Sequence, residues 1–331
     1  MMNYEIFKEV VKEKFSDYMP DEYKDRELMI QSVDKVNETL DGLTLRDTTS
    51  ALSISPTIYI NDMYKHYLKV EDLDIVFTAA ADRMMHGMKM APDEAQKIDY
   101  ETAKDNIVFQ LINTEQNKEM LKGMPHREFQ DLSVIYRWIV SSDHDGVHSA
   151  VIHNPLAERI RMSEEELFKV AAENTRRILP PVIKDMNSIM REMFIKDGMP
   201  EEIAEMMIGE IPSESMMYVI TNEKGINGAA SMMYEDKLHE LAVKLDSDLY
   251  IMPSSVHEVI AVSSDIGDPY ELAAMVSEVN MSNVELSERL SNQVYHYDKD
   301  LRKVTLATDT PNKRLDGIVA EPQMIYNEKN R

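Results

Sequence analysis

The 331-residue chain has no cysteine, one tryptophan and only ten glycines. Without cysteine there can be no disulfide, no thiolate-held zinc, no iron–sulfur cluster and no cysteine nucleophile. The scarcity of glycine goes with the absence of G-x-G-x-x-G and G-x-x-x-x-G-K-[ST], so the usual phosphate-cradling loops are missing. There is no G-x-S-x-G nucleophile elbow. His239-Glu240 and His257-Glu258 both lack the second histidine that a helical metalloprotease motif needs four residues after the first. No apolar run approaches the roughly 18 residues of a membrane span, and no secretory leader is visible, so a cytoplasmic location is expected. Basic residues are also short: 36 Lys and Arg stand against 60 Asp and Glu, a net charge of −24. The excess is even, with 18 basic and 29 acidic residues in 1–160 and 18 and 31 in 161–331. This speaks against binding nucleic acid or an anionic membrane surface, both of which depend on clustered cations. It favours solubility, a basic protein partner or, as a weaker alternative, mimicry of nucleic acid.

What is present is a core. Apolar residues make up 43% of the chain, enough for a globular protein. The most regular stretch is 248–280. Leu249–Met252 is an apolar strand, Pro253-Ser254-Ser255 breaks it, and Val256–Ser263 alternates like a second strand. Asp268 then caps a helix with Pro269 at its first position and Glu271 at its third. Weaker versions of this strand–strand–helix plan occur upstream, in 28–88 and 106–179. The expected fold class is therefore α+β, with repeated strand-strand-helix units, mostly antiparallel sheets and helices packed on one face. Asp41-Gly42 and Asp145-Gly146 read as hairpin turns, and Ser163 with Glu166 as a capping box. A helix from Asn61 or Asp62 is expected to break near Val70 and end near Met88.

Four segments follow from composition. An N-terminal α+β domain spans 1–180, a methionine-rich helical connector 181–214, a C-terminal α+β domain 215–307 and a polar tail 308–331. The connector holds Met186, Met190, Met193, Met199, Met206 and Met207. Methionines at helical spacing usually fill a core, and otherwise line an adaptable binding surface.

Four constellations could carry chemistry. Ser141-x-Asp143-x-Asp145-Gly146 echoes the start of a calcium loop, but its twelfth position is Ile152 where a bidentate glutamate is needed, and a hairpin turn accounts for it. His144, His148 and His153 could hold a transition metal, yet His148 and His153 point to opposite faces of a regular strand. Ser254, Ser255, His257 and Glu258 gather a serine, a histidine and a carboxylate at a strand turn, the types that acyl transfer uses. Ser255, His257 and Glu258 are the candidate catalytic residues, although neighbours on one strand do not readily form a triad. Tyr295, His296 and Tyr297, in a hairpin, read either as cross-strand pairs or as an aromatic contact surface. No cofactor or metal is expected.

Asn3–Phe15 (NYEIFKEVVKEKF), the segments TLDGLTL and ISPTIYINDMY within 39–64, Leu249–Val262 (LYIMPSSVHEVIAV) and Leu290–Arg314 together resemble the bacterial uncharacterised family DUF5688 across nearly the whole chain. The resemblance implies a recurrent bacterial unit and carries no known activity, cofactor or catalytic residue with it. The functional expectation is a cytoplasmic, non-enzymatic protein-interaction or regulatory module that uses its acidic surface and methionine-rich helices. The alternative is a hydrolase-like enzyme with a non-standard site near Ser255–Glu258.

Overall fold

A computed structural model describes residues 2–46, 56–96, 103–143, 146–208, 217–253, 255–311 and 313–317. Its contacts divide the chain into two compact units, Met1–Asp99 and Tyr100–Arg331. The class is α+β, and every strand pairing is antiparallel.

The first unit opens with helix α1 (Tyr4–Lys14), where Asn3 accepts a hydrogen bond from the Ile6 N–H at 3.0 Å. Its period puts Phe7 and Val11 on one fully buried face, and Phe15 continues it. Strands β1 (Glu27–Lys35) and β2 (Glu38–Arg46) form a hairpin that turns at Val36-Asn37, with Asn37 left-handed at φ 67°. The turn expected at Asp41-Gly42 is therefore corrected: both residues lie inside β2, opposite Ser32 and Gln31. Glycine is needed there for close approach, because a Cβ would stand 2.8 Å from methyls of both Val33 and Thr57. The Asp41 carboxylate serves packing rather than turning, since it accepts from the Tyr4 hydroxyl and from Lys8, each at 2.7 Å. Strand β3 (Ile58–Tyr59) adds an edge to β2. Helices α2 (Ile60–Val70) and α3 (Leu73–Gln96) follow, separated at Glu71, which is left-handed at φ 54°. The break falls where the sequence places it, while α3 runs beyond Met88. Val76, Phe77, Ala80 and Met84 of α3 close the core on Phe7 and Phe15.

The second unit has two sheets. Strand β4 (Ile107–Asn113) is followed by α4 (Lys118–Leu121), β5 (His126–Phe129), β6 (Leu132–Asp143) and β7 (Gly146–Val151). Long β6 pairs with β4, with β5 along its first residues and with β7 along its last. After α5 (Asn154–Arg159), α6 (Glu164–Ile178) starts from the expected capping box: the Ser163 N–H donates to Glu166 Oε2 at 2.8 Å, and the Ser163 hydroxyl oxygen accepts from the Glu166 N–H. Leu167, Ala171 and Thr175 lie on its buried face. Thr175 Oγ1 accepts from the Phe109 N–H at 2.8 Å, pinning α6 to β4.

The start of α6 is also held by charge. Arg127 of β5 makes a bidentate pair with Glu164, at 3.0 and 2.9 Å, and its guanidinium lies 3.9 Å from the Phe168 ring centre. The buried Tyr136 hydroxyl donates to the same carboxylate. Burial works to raise the Glu164 carboxyl, but the hydrogen bonds from Arg127 and Tyr136 outweigh it and hold the group low. A lowered folded-state carboxyl contributes stability above its unfolded value of about 4.3 and loses it as pH falls through the folded value. Arg127→Ala is expected to cost about 1–2 kcal/mol at pH 7 and to move the start of acid unfolding to higher pH. Urea titrations at pH 7 and at about pH 4 check both.

The second sheet is built from β8 (Pro181–Asp185), β9 (Tyr218–Asn222), β10 (Leu249–Met252), β11 (Val259–Ser263), β12 (Tyr295–Asp298) and β13 (Lys303–Leu306), in the order β13-β12-β10-β11-β9-β8. Helices α7 (Met186–Lys196) and α8 (Glu201–Ile208) lie between β8 and β9, α9 (Glu235–Leu245) between β9 and β10, and α10 (Pro269–Asn283) between β11 and β12. The register puts Leu249, Ile251, Ala261, Tyr295 and Tyr297 on one face, all fully buried. That face meets α9, where Lys244 lies over the Tyr218 ring and Tyr297 donates to Glu235. Met252, Val262 and Val294 on the other side pack against Ala273 and Val276 of α10.

Two expectations change here. The boundary expected at 180 lies inside the second unit, because Pro181–Asp185 is not helical connector but an edge strand paired with β9; proline is tolerated at an edge. Gly228–Met233, between β9 and α9, is a 3₁₀ turn packed against β4. The tail expected from 308 is held through Gly317: the Thr308 hydroxyl oxygen accepts from the Val294 N–H, the Leu315 carbonyl accepts from Arg289, and the Leu315 side chain is buried.

Candidate functional site

The Ser255–Glu258 segment precedes β11 and is not part of it. The expected alternation over 256–258 is replaced by an irregular turn in which Ser255 bridges to Arg289. The Ser255 hydroxyl oxygen accepts from the His257 N–H at 3.0 Å, a local turn bond. His257 Nδ1 accepts from the Asn227 N–H at 3.3 Å, which assigns the ring proton to Nε2, 3.8 Å from Glu288 Oε1. The carboxylate nearest the histidine is thus Glu288 from the loop after α10, while Glu258 is exposed. Ser255 and His257 are brought together through the backbone; their side chains do not make the hydroxyl-to-imidazole bond that would activate a nucleophile. Asn227, Thr221 and Glu288, the partners that fix His257, come from distant parts of the sequence, and only the fold brings them to the turn. Ser254 lies outside the described residues.

The histidine and calcium constellations are only partly described. His144 and Asp145 lie outside the described residues, as do the side chains of 141–148; His153 is the residue before α5 and is exposed. Among the described residues no group of three or more His, Asp or Glu side chains is placed to hold a metal ion.

The 290–300 hairpin belongs to the interior. Tyr295 and Tyr297 are fully buried, so the reading as cross-strand pairs describes them. The Tyr295 hydroxyl donates to Asp131 Oδ1 and the Ser291 hydroxyl to Asp131 Oδ2 at 2.6 Å. Asn113 donates to the Leu290 carbonyl at 3.2 Å, and Asn280 donates to the Ser291 carbonyl at 3.0 Å. This network joins the turn before β6 to the start of β12 and ties the two sheets together. Burial pushes the Asp131 carboxyl up, against the lowering effect of its two hydroxyl partners. Sequence patterning missed Asp131, because a lone Asp at a strand start reads as a turn residue.

Among the described residues, α7 and α8 carry strongly exposed apolar side chains. Asp185 caps α7 by accepting from the Ser188 N–H at 2.8 Å. Gly198, at φ 91°, ends it: the Gly198 and Met199 N–H groups bond back to the carbonyls of Ile195 and Phe194, a closure that needs a left-handed residue. Arg191 reaches Glu205 at 3.4 Å across the two helices, and Ala204 is buried. No residue of α7 is fully buried. On α8, Ile203, Met206 and Met207 are 48%, 82% and 63% exposed and share one face at i, i+3 and i+4. Glu202 borders this face, while Glu201 and Glu205 lie round the helix from it. The expectation that these methionines fill a core fails for Met193, Met206 and Met207, all well exposed.

The α+β chain, with a mixed polar interior and an exposed methionine-rich helical hairpin, matches the family of unknown function DUF5688 over residues 4–299 and belongs to it. No curated protein and no solved structure matches the chain. No helix among the described residues is long and apolar enough to cross a membrane.

Proposed function

We propose that this protein is a cytoplasmic, non-enzymatic interaction module whose docking surface is the α7–α8 hairpin, and that it takes an amphipathic helix with basic residues beside its apolar face. The observation that carries the reading is the exposed Ile203–Met206–Met207 stripe, bordered by Glu202 on a helix that also carries Glu201 and Glu205. Contiguous apolar surface is normally hidden on a soluble chain, and methionine, unbranched and polarizable, conforms to varied apolar partners. Carboxylates beside such a stripe select a partner of opposite charge and speed its approach. Glu201 and Glu202 form no ion pair within the described residues, so their charges face outward.

A designed Leu/Lys amphipathic peptide of about 18 residues is the probe, with a Leu/Glu peptide of equal hydrophobicity as control. Fluorescence anisotropy is expected to give a dissociation constant of about 1–10 μM for the first and no saturation for the second. Met206→Glu with Met207→Glu is expected to weaken binding at least about tenfold without lowering the melting temperature, since both residues are exposed. Equal binding of the two peptides, or unchanged binding by the double variant, would overturn the proposal.

A further inference from the structure

The acidic excess hides a local reversal in the first unit. On α2, Asp62, Lys65, His66 and Lys69 fall at i, i+3, i+4 and i+7 and so share one face. On α3, Val76, Ala79, Ala80 and Arg83 repeat the same spacing. The two faces line one cleft of about 470 Å³. Its floor is apolar, from buried Met63, Val76 and Ala80, and its wall at the β3 side includes Thr57 and Tyr59. Lys65, Lys69 and Arg83 all line the cleft, and within the described residues none of them meets a carboxylate at ion-pair distance. Asp62 is the one acidic side chain among the lining residues.

In a chain of net charge −24, carboxylates are abundant enough to pair with cations, as they do with Lys8, Lys184, Arg127, Arg176 and Arg302. The α2–α3 cleft instead gathers Lys65, Lys69, Arg83 and His66 over an apolar floor with one carboxylate among its lining residues. A concave site of this size with a few convergent polar groups is the general form of a small-molecule pocket, and low-dielectric walls strengthen the pull of its charges on an anion. Guanidinium and ammonium groups together suit a phosphate or carboxylate: the first offers a planar fork, the second a compact charge. We infer that the α2–α3 cleft is a binding site for a small organic anion, its phosphate or carboxylate head held by Lys65, Lys69 and Arg83 and its apolar body set on Met63, Val76 and Ala80.

Phenyl phosphate, phenylacetate and inorganic phosphate are the probes, with phenyl glucoside as the uncharged control. Full-length protein labelled at the methionine methyls reports binding directly, because Met63 lies in the floor and its signal is assigned by Met63→Leu. One or both of the aryl anions are expected to shift the Met63 methyl in a saturable way at low ionic strength, and whichever binds more tightly identifies the head group. Inorganic phosphate is expected to bind more weakly and phenyl glucoside not at all. Lys69→Ala with Arg83→Ala, both exposed positions, is expected to weaken the aryl anion at least about tenfold while the melting temperature holds. Lys104→Ala with Arg161→Ala, in a separate cleft of the second unit, is expected to change nothing. No saturable shift with either aryl anion, equal affinity for phenyl glucoside, undiminished binding by the Lys69/Arg83 variant, or a site that answers only to a long acidic peptide would each overturn the inference.

Discussion

Gly228→Ala lowers the stability of the second unit by about 3 kcal/mol or more, the largest single-methyl effect expected in the chain. A Cβ at this position would stand 2.2 Å from Thr221 Oγ1 and 2.3 Å from the His257 carbonyl oxygen. Those two atoms are themselves hydrogen-bonded at 2.8 Å, with the threonine hydroxyl donating. The methyl would enter that bond from the side, and neither neighbour is the free end of a flexible side chain. Relief requires the end of β9 to part from the Ser255–Glu258 turn, which also removes the Asn227 N–H from His257 Nδ1. Gly225→Ala serves as the comparison. Gly225 is left-handed at φ 63° but has nothing within 4 Å of a would-be Cβ, so only the backbone preference is lost, about 1 kcal/mol. Urea midpoints of the two variants decide the matter. A Gly228 variant no less stable than the Gly225 variant would show that the turn is not packed against β9 as described.

The same turn shows where reading a sequence stops. Local signals carried through: the Ser163–Glu166 box, the Asp268–Pro269 start of α10 and the break between α2 and α3 are each set by residues within one helical turn of one another. Signals whose meaning depends on a distant partner did not. Asp41-Gly42 has the composition of a hairpin turn, but the glycine is required by Val33 and Thr57 across the sheet. Pro181–Asp185 falls within the expected helical connector because the β9 strand that recruits it lies more than thirty residues on. At the candidate sites the contrast is sharper. Ser255, His257 and Glu258 were visible as neighbours, yet the carboxylate that faces His257 is Glu288. The α2 face of the anion cleft can be read from helical spacing alone, but averaging charge over half the chain conceals it, and Arg83 joins it only once the two helices pack. The exposure of Met206 and Met207 is likewise unreadable from a pattern that a buried helix would share.

Asp131→Ala is the second large effect, about 3 kcal/mol, and its chemical cause differs from that of Gly228. The substitution leaves the fully buried Tyr295 hydroxyl without its acceptor and deprives buried Ser291 of the same carboxylate. Tyr295, already pushed well up by burial, has no means of shedding its proton in compensation. Asp131→Asn separates hydrogen bonding from charge. The amide oxygen still accepts from Tyr295, and the amide nitrogen can donate to the Ser291 hydroxyl oxygen, so most of the network survives. The pH effect separates the parent from both variants. Because burial raises the Asp131 carboxyl above its ordinary value near 3.9, the folded state keeps a proton that the unfolded chain has released. Asp131 therefore favours folding below the unfolded value, and its contribution declines as pH rises through the folded one. In both variants that decline is absent, so each improves relative to the parent from about pH 4 upward, and the asparagine variant stays above the alanine variant at every pH by the hydrogen bonds it keeps. Urea unfolding of all three proteins between about pH 4 and pH 7 makes the comparison. An asparagine variant as damaged as alanine would mean that the network needs the carboxylate's charge and not only its acceptors.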